Sequence, residues 1–160
     1  MSEISDRLGV LYLSSVDNTP KDTAVVSGIL FGADCRPMIN LAISSKKFKK
    51  WINIIFLIDT GSPHIYLCEQ AVNALGFGGN IPQTLDIVYR DTTFSASSSP
   101  KLSLNFQDIN LIGSSFLKSA LAKLVINYRS NEVTLLFKYA STTEEGLPVA
   151  STDFDSIIEF

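Results

Sequence analysis

The chain has 160 residues, 46% apolar and 18% charged, with 13 basic and 16 acidic side chains and a net charge of −3. That length suits one domain whose core needs no disulfide staples, and the composition excludes collagen-like, disordered and disulfide-scaffold classes. A mildly acidic chain also lacks the clustered basic surface of a non-specific nucleic-acid binder, so no nucleic-acid partner is expected.

The N-terminus, MSEISDRLGV, places acids before its first apolar residues and has no hydrophobic segment of the secretory kind, so a cytoplasmic location is expected. The runs 9–16 and 23–31 are rich in strand formers, with Thr19-Pro20-Lys21-Asp22 as the turn between them. Cys35 and Cys68 belong to no CxxC or Cys/His cluster. Reduced thiols are the simpler reading and one disulfide the alternative, and neither metal nor cofactor is expected.

Met38 to Ile43 reads as a strand, and Trp51 to Ile58 as a longer one. Asn53 interrupts this apolar stretch and Asp59 ends it, far short of the roughly 20 residues that a bilayer demands, so no membrane partner is expected. Between these strands Lys46-Lys47-Phe48-Lys49-Lys50 reads as a solvated hairpin turn, with a basic patch for an acidic partner as the alternative. His64 to Leu67 reads as a short strand. Cys68 to Leu75 is a helix by its stripe of Ala71, Val72 and Leu75, with Gly76 as its C-terminal stop.

Leu85 to Tyr89 and Thr92 to Ala96 flank Arg90-Asp91 as a hairpin, and the serine-rich stretch from Ser95 to Pro100 reads as a flexible loop. Lys101 to Phe106 alternates as a half-buried strand does, Ser114 to Leu121 suits a short helix, and Leu124–Tyr128 and Val133–Phe137 make a final hairpin. From Tyr139 onward there is no lysine or arginine, and Ser156 to Phe160 could dock as a strand. The aromatic residues, Trp51 included, read most simply as core. The expected division is an N-terminal extension or strand over 1–21, the main domain over 22–139 and an acidic tail over 140–160.

The chemistry concentrates in Phe56-Leu57-Ile58-Asp59-Thr60-Gly61-Ser62-Pro63. An apolar strand delivers a carboxylate into a turn of hydroxyl residues around a glycine. Such a turn holds the acid in a dry place with short donors around it, and the glycine permits close backbone approach. An ordinary strand end with an Asx-type turn would look the same locally. His64, the one histidine, reads as structural: adjacent strand residues point to opposite faces, which rules out a Ser-His-Asp arrangement with Ser62.

About fifty residues further on stands Ile109-Asn110-Leu111-Ile112-Gly113-Ser114-Ser115-Phe116-Leu117. An apolar strand into Asp-Thr-Gly-Ser, then helix, hairpin, strand and apolar-apolar-Gly-x-x-Phe-Leu resembles the retropepsins, the single-domain aspartic proteases of retroviruses, retrotransposons and cellular relatives. The resemblance spans roughly Met38 to Phe137. It implies an all-β fold with one or two short helices, a closed barrel-like lobe per chain.

The resemblance further implies an aspartic endopeptidase acting on polypeptide substrates. Asp59 would be catalytic, Thr60, Gly61 and Ser62 would support the active loop, and Leu111, Ile112 and Gly113 would form a strand bracing that loop. Because the chain has a single Asp-Thr-Gly, the second aspartate must come from another copy across a two-fold axis, which implies a homodimer. Ser62, where many retroviral members carry alanine, implies a donor to the ionised carboxylate and activity at acidic pH, about 3.5–5.5. The flap that closes over substrate in this family would fall at Tyr89, Arg90, Asp91 and Thr92, which lack the usual glycine-rich tip. Beside this enzyme stand a dimeric peptide-binding module with weak or no hydrolysis, favoured by that tip, and an unrelated β-barrel.

Overall fold

Alternating side chains along Trp51–Asp59 divide this strand into two faces, and the fold is organised around that division. The computed structural model describes residues 1–17, 23–99 and 108–137. Among these the elements are α1 (Ser2–Leu8), β1 (Ser15–Val16), β2 (Val25–Phe31), β3 (Arg36–Ser45), β4 (Trp51–Asp59) and β5 (Tyr66–Leu67). Then follow α2 (Glu69–Val72), a wider helical turn over Asn73–Phe77, β6 (Thr84–Tyr89), β7 (Thr92–Ser98), β8 (Asn110–Gly113), α3 (Ser114–Ser119), β9 (Ala122–Asn127) and β10 (Glu132–Phe137).

The strands β4, β8, β5, β7, β6 and β3 are hydrogen-bonded in that order, and β3 pairs again with β4, so six strands close a barrel. Closure removes the free edges that an open sheet of these strands would leave. From β3 the sheet continues outward through β2 and β10 to β9, while β1 pairs with the start of β4 at Ser15↔Ile52. The all-β, barrel-like, single-lobe architecture expected from the sequence is the one found, with three short helices. None of the helices among the described residues is long and apolar enough to cross a membrane.

Ile52, Ile54, Phe56 and Ile58 of β4 enter the barrel core beside Ile39, Leu41 and Ile43 of β3 and Leu67, Leu75, Ile87 and Phe116. A strand's side chains alternate, so Trp51, Asn53, Ile55, Leu57 and Asp59 share the opposite face. Ile55 and Leu57 on that face belong to a second, smaller cluster with Ile4 and Leu8 of α1, Tyr12 and Met38. The helix is absent from the expectation of a strand over 9–16. Ile4 and Leu8 stand four apart, one helical turn, and a single such pair is too faint a periodicity to mark a helix in the sequence. Gly9, at φ 66°, ends α1 in the left-handed conformation that glycine adopts without strain, and only Ser15–Val16 is strand.

Other boundaries shift for similar local reasons. The serine-rich stretch expected as a loop is strand to Ser98, since Phe94 and Ala96 are buried and the serines between and after them face outward or lie half-buried. The lysine run is the exposed turn between β3 and β4, with Lys47 Nζ 5.1 Å from the Phe48 ring centre and 5.9 Å from that of Phe77. Phe48 lies over Gly76, where a Cβ would fall 2.8 Å from the ring and φ is 107°, so glycine is required there on both counts. Both cysteines are free, Cys35 exposed and Cys68 buried. The expected turn at 19–22, the strand over 101–106 and the tail over 140–160 with its terminal strand lie outside the described residues.

Candidate active site

Asp59 is the last residue of β4, half-buried, on the face opposite the barrel core. Its turn is closed by two short bonds: the Gly61 N–H donates to Asp59 Oδ1 at 3.0 Å, and the Ser62 N–H to the Asp59 carbonyl at 3.1 Å. This is the Asx-type geometry that a carboxylate two residues before a glycine adopts. Thr60 and Gly61 are exposed at the apex, and Ser62 is half-buried. The Ser62 hydroxyl accepts from the His64 N–H at 3.4 Å, which leaves its own proton uncommitted by that bond.

The residues of the second motif stand directly beside this turn. β8 runs parallel to β4 with Leu57 level with Leu111, Ile58 with Ile112 and Asp59 with Gly113. Ile112 faces the core. A Cβ on Gly113 would lie 2.1 Å from the Ser62 carbonyl oxygen and 2.6 Å from that of His64, so the loop passes where only a glycine leaves room. The start of α3 then grips the loop from beyond: the Ser114 N–H donates to Ser62 O at 2.7 Å, the Ser114 hydroxyl to the same oxygen at 3.3 Å, and the Ser115 N–H to Pro63 O at 3.3 Å.

One polar residue in this region was not among the site residues expected from the sequence. Asn110, fully buried at the start of β8, accepts from the Cys68 N–H at 3.0 Å and donates to the Ile55 carbonyl at 3.1 Å and the Tyr12 hydroxyl at 2.8 Å. It ties four segments together just below the aspartate turn. Tyr12 Oη also lies 3.3 Å from Cys68 Sγ. Burial first, and then the hydrogen bond with Cys68, push the Tyr12 phenol far above the usual tyrosine range. An asparagine leading an otherwise apolar strand is the trace this hub leaves in the sequence, because a buried amide must find partners.

The residues expected at a flap tip are not brought to Asp59. Tyr89 is 7% exposed, its ring centre 5.7 Å from that of Phe116 and 5.4 Å from that of Phe137. Arg90, at φ 54°, donates from Nη2 to the Thr23 carbonyl at 3.2 Å, and its guanidinium carbon lies 5.1 Å from the Phe137 ring centre. Asp91 and Thr92 are exposed beside it. The tip borders Asn40 to Ala42 of β3, the stretch that pairs with Asn53 to Ile55 of β4.

His64 is exposed, its ring edge-on to Tyr66 at 6.0 Å between centres. Among the described residues no ion pair reaches Asp59, and no group of three or more His, Cys, Asp or Glu side chains could hold a metal ion. A half-exposed carboxylate fixed through one oxygen by a backbone N–H can exchange a proton with a bound water, which is general acid–base chemistry.

Seven chains of solved structures are similar to this one, among them a retropepsin-like aspartic protease from Rickettsia conorii. The two share 21% sequence identity with a TM-score of 0.45, over 74% of this chain and 96% of that one. A likeness at this level assigns no activity. No family model and no curated protein matches the chain.

Proposed function

We propose that the chain is one half of a homodimeric aspartic endopeptidase of the retropepsin type, with Asp59 as its catalytic residue. The observation that carries this reading is the turn itself. A carboxylate at the end of a buried strand is fixed by the Gly61 N–H, and the loop behind it is gripped by Gly113 and Ser114 so that it cannot drift. Preorganisation of this kind is what a catalytic carboxylate needs and what an ordinary strand end does not.

Two Asp59 carboxylates facing one another across a two-fold axis cannot both ionise cheaply, so the pair holds one proton between them. The ionised member takes a proton from a water as that water attacks the peptide carbonyl. The protonated member donates to the developing oxyanion, and the pair then returns a proton to the leaving amine. Thr60 supports the contact between the two loops, Gly61 allows the backbone to approach the carboxylates, and Ser62 donates to the ionised form and favours it. Leu111 to Gly113 brace the loop from behind. Cleavage is then fastest in acid, where one proton remains on the pair.

The deciding experiment is cleavage of an unfolded protein substrate from about pH 3 to about pH 7, wild type beside Asp59→Asn. Acid-favoured cleavage absent from the mutant supports the reading. Equal background cleavage by both, from folded dimers, removes it.

A second reading, a dimer that holds peptides without hydrolysing them, is favoured by one observation: the hairpin placed where a flap would be sought has its tip held by the Thr23 carbonyl and against the Phe137 ring. A hairpin pinned in this way is not itself a mobile cover over the dyad.

A further inference from the structure

The charges of this chain are divided between two segments. All thirteen bases and eleven of the sixteen acids precede Tyr139, so 1–138 carries a net +2. The remaining acids, Glu144, Glu145, Asp153, Asp155 and Glu159, give 139–160 a net −5, with no base among them. Four of the bases, Lys46, Lys47, Lys49 and Lys50, fall within five positions and are all exposed on the turn between β3 and β4. Backbone bonds hold that turn in shape. The Phe48 N–H donates to Ser45 Oγ at 2.9 Å, the Lys49 N–H to the Ser45 carbonyl at 3.0 Å, and the Lys46 N–H to the Asp86 carbonyl at 3.0 Å. Trp51, expected from the sequence to be core, is instead half-buried where the turn ends. Among the described residues no carboxylate lies within ion-pair distance of the four ammonium groups, so their mutual repulsion has no counter-charge there.

The lysine turn stands at the opposite end of β4 from Asp59, about 27 Å away at ordinary strand rise, and is separate from the proposed catalytic centre. β10 delivers the chain to this same end of the barrel. Its last residue, Phe137, donates from its N–H to the Ala24 carbonyl at 2.8 Å, and its ring centre lies 5.4 Å from that of Tyr89. Val88, next to Tyr89, pairs with Ser44, two residues before Lys46. At ordinary strand spacing and rise these steps put Phe137 about 20 Å from the turn. The chain from Phe137 to Glu144 reaches about 23 Å when extended, and that to Asp153 more than twice as far.

We propose that the acidic segment 139–160 docks on the lysine turn of its own chain, its carboxylates paired with the ammonium groups of Lys46, Lys47, Lys49 and Lys50. Opposite charge selects this occupant, and the point at which β10 ends places it within reach. The tether favours it over any other acidic polypeptide, because a segment joined by so few residues meets the turn at an effective concentration in the millimolar range. Exposed ion pairs each contribute little. Joined on one tether, several act together, and salt weakens all of them at once.

The test joins carboxylates to lysines in the full chain with a water-soluble carbodiimide and maps the products by mass spectrometry. The expected cross-links run from the four lysines of the turn to Glu144, Glu145, Asp153, Asp155 or Glu159. They should appear in monomer-sized product, at a yield independent of protein concentration, and be lost in about 1 M NaCl. A second measurement follows acetylation of the same lysines by an N-hydroxysuccinimide ester, with the exposed Lys118 as internal reference. It compares wild type with a variant carrying Glu144→Gln, Glu145→Gln, Asp153→Asn, Asp155→Asn and Glu159→Gln. At low salt the four lysines should react about threefold faster in the variant, and in about 1 M NaCl equally in both. The cross-links need no variant, so they decide the matter should the neutralised chain not fold. Cross-links confined to dimer-sized product would give the turn to a second copy and overturn the proposal. Cross-links to other lysines alone, or equal acetylation of the two proteins at low salt, would overturn it as well.

Discussion

Gly113 lies level with Asp59 across the parallel β4–β8 pair, and a methyl group at Gly113 would sit 2.1 Å from the carbonyl oxygen of Ser62. Two segments more than fifty positions apart in sequence are thus held at a spacing that admits no side chain. Backbone, rather than a flexible side-chain end, is what the added atom would meet. Gly113→Ala should therefore displace the aspartate loop and cost at least about 2 kcal/mol in urea unfolding. Gly61→Ala is the internal comparison: its Cβ would meet only Asp59 Oδ1, at 3.3 Å, and stability should stay within about 1 kcal/mol of wild type. Equal effects of the two substitutions would contradict this account of the loop.

Asp59→Asn tests chemistry without disturbing the turn. The amide oxygen can still accept from the Gly61 N–H, and the side chain is only half-buried, so the unfolding midpoint should barely move. On the proposed mechanism acid-phase cleavage should fall by about 10³-fold or more, since the variant cannot take the proton from water. A variant that cleaves at the wild-type rate would place the chemistry elsewhere.

Tyr12 predicts an alkaline limit to stability. Its phenol is held neutral in the folded protein, above the ordinary value near 10, because burial and the bond with Cys68 disfavour the phenolate. The neutral form is therefore better accommodated folded than the charged one. Stability from this group is complete below about pH 10 and declines as the pH rises beyond that, where the unfolded chain releases the proton first. Tyr12→Phe should flatten that decline while costing about 1 kcal/mol at neutral pH, through the lost bond from Asn110. Urea unfolding in buffers on either side of pH 10 measures both.

Tyr89→Ala separates a lid residue from a wall residue. An aromatic side chain that closed over substrate would change turnover and leave stability alone. Packed as it is on Phe116 and Phe137, its removal should cost about 3 kcal/mol, read from the unfolding midpoint. A stable variant with altered turnover would restore the flap reading.

Much of the fold was legible because its signals are local. Trp51 to Ile58 is a short apolar run broken only at Asn53, and the strand found there runs one residue further, to Asp59. Gly76 marked the end of a helix because a left-handed residue is needed to stop one, although the helix gives way to a wider turn before reaching it. The serines of β7 hid only the end of a strand expected over Thr92 to Ala96 and found to run to Ser98, since hydroxyl residues suit loops and outward strand faces alike. α1 was missed because two apolar residues four apart make too faint a periodicity in seven residues, and its stability comes from the face it covers rather than from propensity.

By itself the sequence determined the strand that carries Asp59, the hydroxyl and glycine residues of the turn, and the apolar run ending at Gly113. These follow from side-chain period and turn chemistry, which act between near neighbours. Only the tertiary structure decided that Gly113 stands beside Asp59, that Tyr89 faces inward, and that Asn110 meets a tyrosine 98 positions away. Each of those depends on how six strands close, and closure is a relation among distant segments. A buried asparagine announces that it needs partners; which partners it obtains is settled when the barrel shuts around it.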